Sequence, residues 1–284
     1  MQTTNPTPSS VEQPSNQLQS PPSTAHWDAQ QIIQKLPTFY VSSAGMPNAL
    51  AELTLQTAEQ SFPFLAQLSQ FFGHATLHAS PIKSFVHEPS AIAASEQLAA
   101  LFNQYGSDKA SVHNYHLLYG AILNSPNTVN AVLEIGMGTN NEDVVSTMGR
   151  EGHPGASLRA FRDFLPNARI YGADIDERIL FSENRIETFF VDQTDLAITQ
   201  QLFEKIGQTF DLIIDDGLHA PNANISVLLA GLNYLNTGGC LVVEDIASSH
   251  LPVWQVIASL IPVERYSHFL VQSKAAYLFV IQRK

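Results

Sequence analysis

Residues 130–138 read NAVLEIGMG, an apolar run that ends in two glycines. Four more runs of this kind follow, and stretches with a helical pattern separate most of them. They are ARIYGADID at 168–176, IETFFVDQTD at 186–195, FDLIIDDGLH at 210–219 and GGCLVVEDI at 238–246. Continuous apolar strands that alternate with helices are typical of a parallel sheet whose two faces are both covered.

The intervening helices are predicted at SLRAFRDFL, LAITQQLFEKIG, NISVLLAGLNYL and VWQVIASL. Ser157 is the expected N-cap of the first of them. Two closing strands, VERYSHFLV and AAYLFVIQR, follow. The pattern predicts an α/β fold over residues 104–284, with a Rossmann-like, doubly wound, mostly parallel seven-stranded sheet and a C-terminal antiparallel hairpin.

Two different segments precede this domain. Residues 1–24 consist mainly of Pro, Ser, Thr, Gln and Asn, which predicts a disordered tail. Residues 25–103 show helical periods with breaks expected at Pro37, Pro47, Pro63, Pro81 and Pro89. We interpret this region as a helical accessory element, either a cap or a homo-oligomerisation element, and the pattern does not discriminate between the two.

The composition excludes several classes of function. The net charge is −12 and no run of Lys or Arg occurs, which disfavours a nucleic-acid substrate. The single cysteine, Cys240, rules out an internal disulfide and a thiolate metal cluster, and a reducing cytoplasm is the expected compartment. No apolar stretch reaches the roughly 18–20 residues of a membrane span, so we expect no membrane partner.

Almost every predicted strand ends in acidic residues or glycine. The strand ends are Glu134-Ile-Gly136-Met-Gly138, Asp174-Ile-Asp176, Asp192, Asp215-Asp216 and Glu244-Asp245. One Asp or Gly alone is a common turn former. As a set, the carboxylates would repel one another at one sheet edge unless something binds them there, which favours a ligand site.

The glycine turn distinguishes two kinds of nucleotide cofactor. A dinucleotide-binding loop favours GxGxxG and an acidic residue about 20 residues further on. Here the third glycine position is Asn141, Asp174 lies much further away, and Glu134 precedes the first glycine. The combination favours a methyltransferase, with Asp174 as the acceptor of hydrogen bonds from the ribose hydroxyls.

A long polar segment, TNNEDVVSTMGREGHPGAS at 139–157, separates the first strand from its helix. It is longer than a routine connection in an α/β unit. It is either a tolerated surface insertion or a loop that folds over the cofactor, with Ser157 and the helix N-terminus facing the cofactor carboxylate.

Several motifs resemble one family. YGSDKASVHNYHLLY at 105–119, PGASLRAFRDFLPNARIYGADID at 154–176, IDDGLH and VVEDI are similar to metal-dependent sugar O-methyltransferases of class I, which use S-adenosylmethionine. These enzymes methylate macrolides and rhamnose-bearing natural products. The resemblance covers about half of the chain, from Tyr105 to Ile246, and implies a small-molecule acceptor with a sugar or secondary-metabolite hydroxyl.

The resemblance also implies roles for individual residues. It places the helix with Lys109, His113, Tyr115 and Tyr119 over the cofactor, although the spacing of the tyrosines fits a core-facing helix equally well. Asp192 and Gln193 would lie beside the adenine, and Asp215 would face the methionine amino group. Mg²⁺ or Mn²⁺ would be bound by Asp216, Glu244 and Asp245, whose oxygen donors suit such hard cations. His219 would be the general base, acting with Asp216.

Two rival hypotheses remain open at this point. One is a metal-independent methyltransferase that acts on a nitrogen or a carboxylate of a small molecule. The other is a non-catalytic, cofactor-binding scaffold subunit, which the long helical N-terminal region suggests. The acceptor molecule is not specified by any of these motifs.

Overall fold

The computed structural model describes residues 27–284, so the tail predicted over residues 1–24 lies outside the described residues. The described part of the chain divides into two compact units, one that ends at Gln60 and one that comprises Ser61–Lys284. The predicted domain boundaries, at residues 25 and 104, do not coincide with this division and stay predictions.

The first unit is helical where it is described. Helix α1 (Ala29–Lys35) begins with a capping box, in which Asp28 and Gln31 each accept a hydrogen bond from the other's backbone N–H. Helix α2 (Pro47–Phe71) starts in this unit and continues through Pro63. The break expected at Pro63 is therefore wrong. Proline removes one hydrogen-bond donor, but strong helix formers on either side, such as Gln60 and Leu65, sustain the helix.

The second unit contains the sheet and the other helices. Its α-helices are α3 (Pro89–Tyr105), α4 (Asp108–Ser111), α5 (His116–Ile122), α6 (Ala156–Phe164), α7 (Leu196–Ile206), α8 (Pro221–Gly231) and α9 (Leu251–Leu260). Its strands are β1 (Ala79–Pro81), β2 (Ala131–Ile135), β3 (Arg169–Asp174), β4 (Ser182–Glu183), β5 (Ile186–Phe190), β6 (Phe210–Asp215), β7 (Leu235–Ile246), β8 (Tyr266–Gln272) and β9 (Tyr277–Arg283).

These strands form one sheet in the order β1-β8-β9-β7-β6-β2-β3-β5-β4. The five central strands, β7 to β5 in this order, pair in parallel. Strand β9 pairs antiparallel with both β7 and β8, so the predicted α/β sheet with its C-terminal antiparallel hairpin is confirmed. The short strands β1 and β4 extend the seven predicted strands at the two edges. Strand β1 belongs to the region predicted as helical.

Helices cover both faces of the sheet. In β2, Val132 belongs to the apolar core that contains Phe161 of α6. The next residue, Leu133, belongs to the opposite core, which contains Phe203 of α7. Because successive side chains of a strand point to opposite faces, a strand buried on both sides must be apolar throughout.

Helix α6 begins earlier than the sequence indicates. Its N-cap is Gly155, with φ of +72°, and the backbone N–H of Gly155 donates to the carbonyl of Met137. Ser157 lies inside the helix, and its hydroxyl donates to Glu134 at 2.5 Å. The expected cap at Ser157 is therefore wrong, because a glycine in the left-handed conformation starts the helix and leaves the serine hydroxyl for the strand end.

Among residues 27–284, no helix combines the length and the apolar character needed to cross a bilayer.

One aromatic cluster ties three helices together. The ring of Phe161 on α6 meets Phe102 of α3 and Tyr119 of α5 edge-on, with ring centroids 5.3 and 5.5 Å apart. We expect Phe161→Ala to lower the free energy of unfolding by about 3–5 kcal/mol, because it leaves a cavity between these helices. Urea denaturation measures the change. The control Leu229→Ala, at a side chain that is 58% exposed, should change it by less than about 0.5 kcal/mol. Equal effects of the two substitutions would contradict the packing described.

Candidate active site

A cavity of about 330 Å³ opens at the carboxyl ends of the central strands. Strand β2 has β3 on one side and β6 on the other, so the strand order reverses here, as at the ligand sites of doubly wound sheets. The cavity brings together ten predicted site residues: Gly136, Gly138, Ser157, Asp174, Asp192, Gln193, Asp216, His219, Glu244 and Asp245. Three others, Glu134, Asp215 and Tyr119, are fully buried and do not line it.

The glycine turn after β2 forms one wall of the cavity. Gly136 and Gly138 have φ values of +91° and +76°, which favour glycine. A Cβ atom at Gly136 would collide with the backbone carbonyl of Asp216, and one at Gly138 would collide with the sulfur of Met148. The chain itself therefore requires glycine at both positions, and the turn lies close against the end of β6.

Asp174, at the end of β3, orients this turn. Its carboxylate accepts hydrogen bonds from the backbone N–H groups of Met137 at 2.8 Å and Asp176 at 2.9 Å. Burial raises the pKa of Asp174 above its ordinary value. The side chain also lines the cavity, so its remaining lone pairs are available to a ligand.

Asp176 anchors the long loop between β2 and α6, a role that the sequence did not indicate. Its carboxylate accepts hydrogen bonds from Thr139 at 2.6 Å and Asn141 at 2.7 Å. Hydrogen bonding from Arg178 holds the pKa of Asp176 well below its usual range, and Arg178 also pairs with Asp143 of the loop at 2.9 Å. The loop is thus held at the strand end.

The anchored loop is a wall of the cavity. Val144, Val145, Ser146 and Met148 line the cavity from the loop side. The segment is therefore part of the cavity wall, and its folding over a cofactor stays a prediction.

Asp215 positions one of the side chains that line the cavity. It accepts hydrogen bonds from Gln193 at 2.5 Å and from Asn224 at 2.9 Å, and burial raises the pKa of Asp215. Gln193 in turn accepts from the backbone N–H of Leu218 at 2.9 Å. Asp215 therefore holds Gln193, which lines the cavity, and does not itself reach the space in which a methionine amino group was predicted.

A buried ammonium group links three strand ends. Nζ of Lys109 lies 2.5 Å from Glu244, 2.6 Å from Asp216 and 3.2 Å from Glu134. Burial by itself would lower the pKa of Lys109, but the carboxylates of Asp216, Glu244 and Glu134 raise it well above its ordinary value. Lys109 is therefore a fixed positive charge at the ends of β7, β6 and β2.

Two tyrosines of the segment before β2 hold the acidic pair at the carboxyl end of β7. The hydroxyl of Tyr119 donates to the second oxygen of Glu244, and that of Tyr115 donates to Asp245 at 2.7 Å. Tyr119 is fully buried, so the core-facing interpretation of this residue agrees with its position. Tyr115 lines the cavity. Hydrogen-bond partners of this kind orient carboxylates that act on a ligand.

Asp216, His219 and Asp245 form a partly exposed group at the cavity surface. One ligand atom from each lies within 4.8 Å of the others, which suits a metal ion. Nε2 of His219 is 3.9 Å from Asp216 and 4.0 Å from Asp245, too far for hydrogen bonds. His219 and Asp245 have φ values of +56° and +53°. Such strained backbone positions cluster at functional sites.

His113 lies beside this group. Its Nδ1 atom is 3.3 Å from Asp245 and its Nε2 atom is 3.5 Å from Asp108. The hydrogen bond to Asp108 raises the pKa of His113. Asp245 therefore has two neighbours from the segment before β2, Tyr115 and His113. The position of His113 beside Asp245 was not predicted from the sequence.

In the acidic cluster of Glu134, Asp216, Glu244 and Asp245, four carboxyl groups face the single ammonium of Lys109, which contacts the first three of them. Burial raises the pKa of both Glu134 and Glu244, and Asp216 adds to this shift in each case. A raised carboxyl pKa reflects the cost of ionising these groups together, so a further cation would favour their ionised form.

No family model matches the chain. Curated relatives match parts of it. The 8-demethyl-8-α-L-rhamnosyl tetracenomycin-C 2'-O-methyltransferase of Streptomyces olivaceus is 32% identical over 160 residues, which are 56% of this chain and 40% of the relative. Mycinamicin VI 2''-O-methyltransferase of Micromonospora griseorubida is 35% identical over 125 residues, 43% of this chain and 28% of the relative. The chain thus matches less than half the length of these relatives.

Among solved structures, the MycE methyltransferase of the mycinamycin pathway, in complex with Mg and SAH, has the same fold. It superimposes with a TM-score of 0.53 and 22% identity over 66% of this chain and 53% of MycE. This chain therefore has the methyltransferase fold of MycE and is similar in sequence to curated sugar O-methyltransferases, which confirms the resemblance predicted from its motifs.

Proposed function

We propose that this chain is an S-adenosylmethionine-dependent O-methyltransferase that acts on a hydroxyl of a sugar or another secondary metabolite. One observation carries the proposal: a single cavity joins the glycine turn and the acidic end of β3 to the carboxylates and imidazole at the carboxyl ends of β6 and β7. The first set suits a nucleoside cofactor and the second suits a hydroxyl acceptor. The activities named for the curated relatives support this choice.

The residues of the first set fit adenosylmethionine. Asp174 offers lone pairs for the ribose hydroxyls, and Asp192 and Gln193 line the neighbouring wall for the adenine. The N-terminus of α6 lies at the cavity, where its backbone N–H groups suit a carboxylate, whereas the Ser157 hydroxyl donates to Glu134. Gly136 and Gly138 keep the turn free of side chains.

The residues of the second set fit a divalent cation such as Mg²⁺ or Mn²⁺. Asp216 and Asp245 are each 23% exposed and keep an oxygen that accepts no hydrogen bond within the described chain. Carboxylate oxygens are preferred ligands of these ions. The resemblance also predicts Glu244 as a ligand, but both of its oxygens are bonded to Lys109 and Tyr119.

His219 is the proposed general base. When bound, adenosylmethionine supplies the methyl group, and a divalent cation lowers the pKa of a neighbouring hydroxyl. Nε2 of His219 lies 3.9 Å from Asp216 and 4.0 Å from Asp245 and makes no hydrogen bond to either, so in the tautomer protonated at Nδ1 it can accept the hydroxyl proton. The fixed positions of these groups contribute by holding the reactants in line.

A metal-independent methyltransferase is the second candidate. Lys109 favours it, because its ammonium already supplies positive charge between Glu244 and Asp216.

The cofactor assignment is tested at Asp174. Asp174→Ala should weaken adenosylmethionine binding by more than roughly tenfold, because charge-assisted hydrogen bonds to the ribose are lost. Isothermal titration calorimetry measures the affinity. Glu187→Gln, at an exposed position of the adjacent strand β5, is the matched control and should leave it unchanged. Normal affinity in a folded Asp174→Ala variant would remove Asp174 from the cofactor site.

The metal assignment is tested by chelation and at Asp245. EDTA should abolish turnover, which Mg²⁺ or Mn²⁺ should restore, and Asp245→Asn should abolish turnover while adenosylmethionine binding is largely kept. The reason is that the cation orients the acceptor and not the cofactor. Homocysteine release from the product measures turnover with an acceptor found by screening sugar-bearing compounds. Full activity in EDTA would favour the metal-independent candidate.

The base assignment is tested at His219, whose Nε2 lone pair can serve a proton or a metal ion but not both. His219→Ala should lower turnover by about 10²–10⁴-fold and leave Mn²⁺ affinity and adenosylmethionine affinity unchanged. A large loss of Mn²⁺ affinity would instead make His219 a metal ligand.

A further inference from the structure

The C-terminal half of helix α2 carries large apolar side chains that no other part of its unit covers. Phe64, Leu65, Leu68, Phe71 and Phe72 are all exposed, and we call these five residues the apolar stripe. Their spacings of three, four, seven and eight residues place them on one side of the helix. Phe71 and Phe72 are 81% and 71% exposed, and their rings meet edge-on with centroids 5.6 Å apart.

A different side of the same helix segment packs on the unit that contains the sheet. Ala66 and Ser69 are buried there. The side-chain amide of Gln255 on α9 donates to the hydroxyl of Ser69 at 3.4 Å and to the carbonyl of Ala75 at 3.1 Å, and it accepts from the backbone N–H of Leu77 at 2.6 Å. The helix is thus attached through small residues and a buried amide, and the apolar stripe lies outside this contact.

This arrangement reverses the usual amphipathic pattern. A surface helix usually buries its large apolar side chains and exposes polar ones. With about 200 Å² for a fully exposed phenylalanine and somewhat less for leucine, the apolar stripe exposes roughly 600 Å². Apolar patches of this size on a protein surface mark sites at which another molecule binds.

The apolar stripe lies in a part of the chain that has no charged side chain. No Asp, Glu, Lys or Arg occurs between Glu59 and Lys83, although the net charge of the chain is −12. The cores of protein interfaces are depleted of charged residues and enriched in aromatic ones. Two copies of an acidic chain repel each other, so an uncharged surface is where they can approach most closely.

We propose that the apolar stripe is the interface of a homodimer, in which it packs on the same stripe of a second copy about a twofold axis. Such a contact pairs one apolar surface with itself. The two stripes together would bury about 1,200 Å², which reaches the size of specific interfaces. Residues 1–24 consist mainly of Pro, Ser, Thr, Gln and Asn and offer few apolar side chains that could cover the stripe instead. The proposal does not depend on the proposed function.

A membrane surface is the alternative occupant, and the composition of α2 disfavours it. Helices that bind at a membrane surface carry Lys and Arg beside their apolar side. Helix α2 (Pro47–Phe71) contains neither residue, and its charged side chains are those of Glu52 and Glu59. A second copy of the chain therefore fits the stripe better than a lipid surface does.

Analytical ultracentrifugation of the full chain tests the dimer. The wild type should sediment with twice the mass of one chain in the high micromolar range. Phe71→Glu should raise the dimer dissociation constant by at least about thirtyfold, because it places a charge in the apolar interface of each copy. The matched control is Leu229→Glu, which puts the same charge at an exposed leucine of α8 and should leave the constant unchanged. A monomeric wild type, or a Phe71→Glu variant that dimerises normally, overturns the proposal.

A cross-link tests the same contact without introducing a charge. The single cysteine, Cys240, is buried, so Leu68→Cys adds an exposed thiol within the stripe. A short bismaleimide should join two copies of this variant and should not join two copies of Leu229→Cys. Equal cross-linking of the two variants overturns the proposed contact. Binding of a monomeric wild type to phosphatidylcholine vesicles, abolished by Phe71→Glu, would also overturn it and assign the stripe to a membrane surface.

Discussion

The crowding of negative charge at the ends of β2, β6 and β7 is the constraint on which the rest of the structure depends. Parallel strands lie about 4.8 Å apart, so carboxyl groups that follow neighbouring strands cannot avoid one another. Glu134 and Glu244 are buried there, and isolated buried carboxylates are strongly unfavourable. The ammonium of Lys109 offsets this cost, because it lies within 3.2 Å of three of the carboxylates.

This requirement links the packing of the helices to the chemistry of the cavity. Lys109 and Tyr119 reach the acidic cluster from one short segment that packs on the sheet. The ring of Tyr119 lies in the apolar core against Phe161, while its hydroxyl bonds to Glu244. The same side chain thus fills the core and orients the acid pair. A change in the packing of α5 or α6 therefore alters the orientation of these acids as well as stability.

The two halves of the cavity are built differently. On the proposed cofactor side, the turn at Gly136 and the loop held by Asp176 depend mainly on backbone geometry and hydrogen bonds. On the proposed acceptor side, charged side chains determine the arrangement, and Asp216 contacts both the buried Lys109 and the partly exposed His219. This division is consistent with a transferase, in which one half holds a common cofactor and the other half activates a specific acceptor.

The sequence by itself determined the fold class, the strand ends that form the site and the resemblance to sugar O-methyltransferases. These follow from local patterns: apolar runs buried on both faces must be central strands, and their ends meet at one edge of the sheet. Two local predictions were wrong, the N-cap of α6 at Ser157 and the break at Pro63. The sequence offers several possible caps and helix formers at these places, and the contacts of the folded chain select among them.

Only the tertiary structure decided which groups each acidic side chain bonds to. Lys109 meets Glu244 across 135 residues of sequence and Asp216 across 107, and Tyr119 meets Glu244 across 125. No local pattern specifies such contacts, because they depend on where α4 and α5 dock on the sheet. The sequence could therefore show which carboxylates share the site, whereas the position of one ammonium group decided which of their oxygens remain open to the cavity.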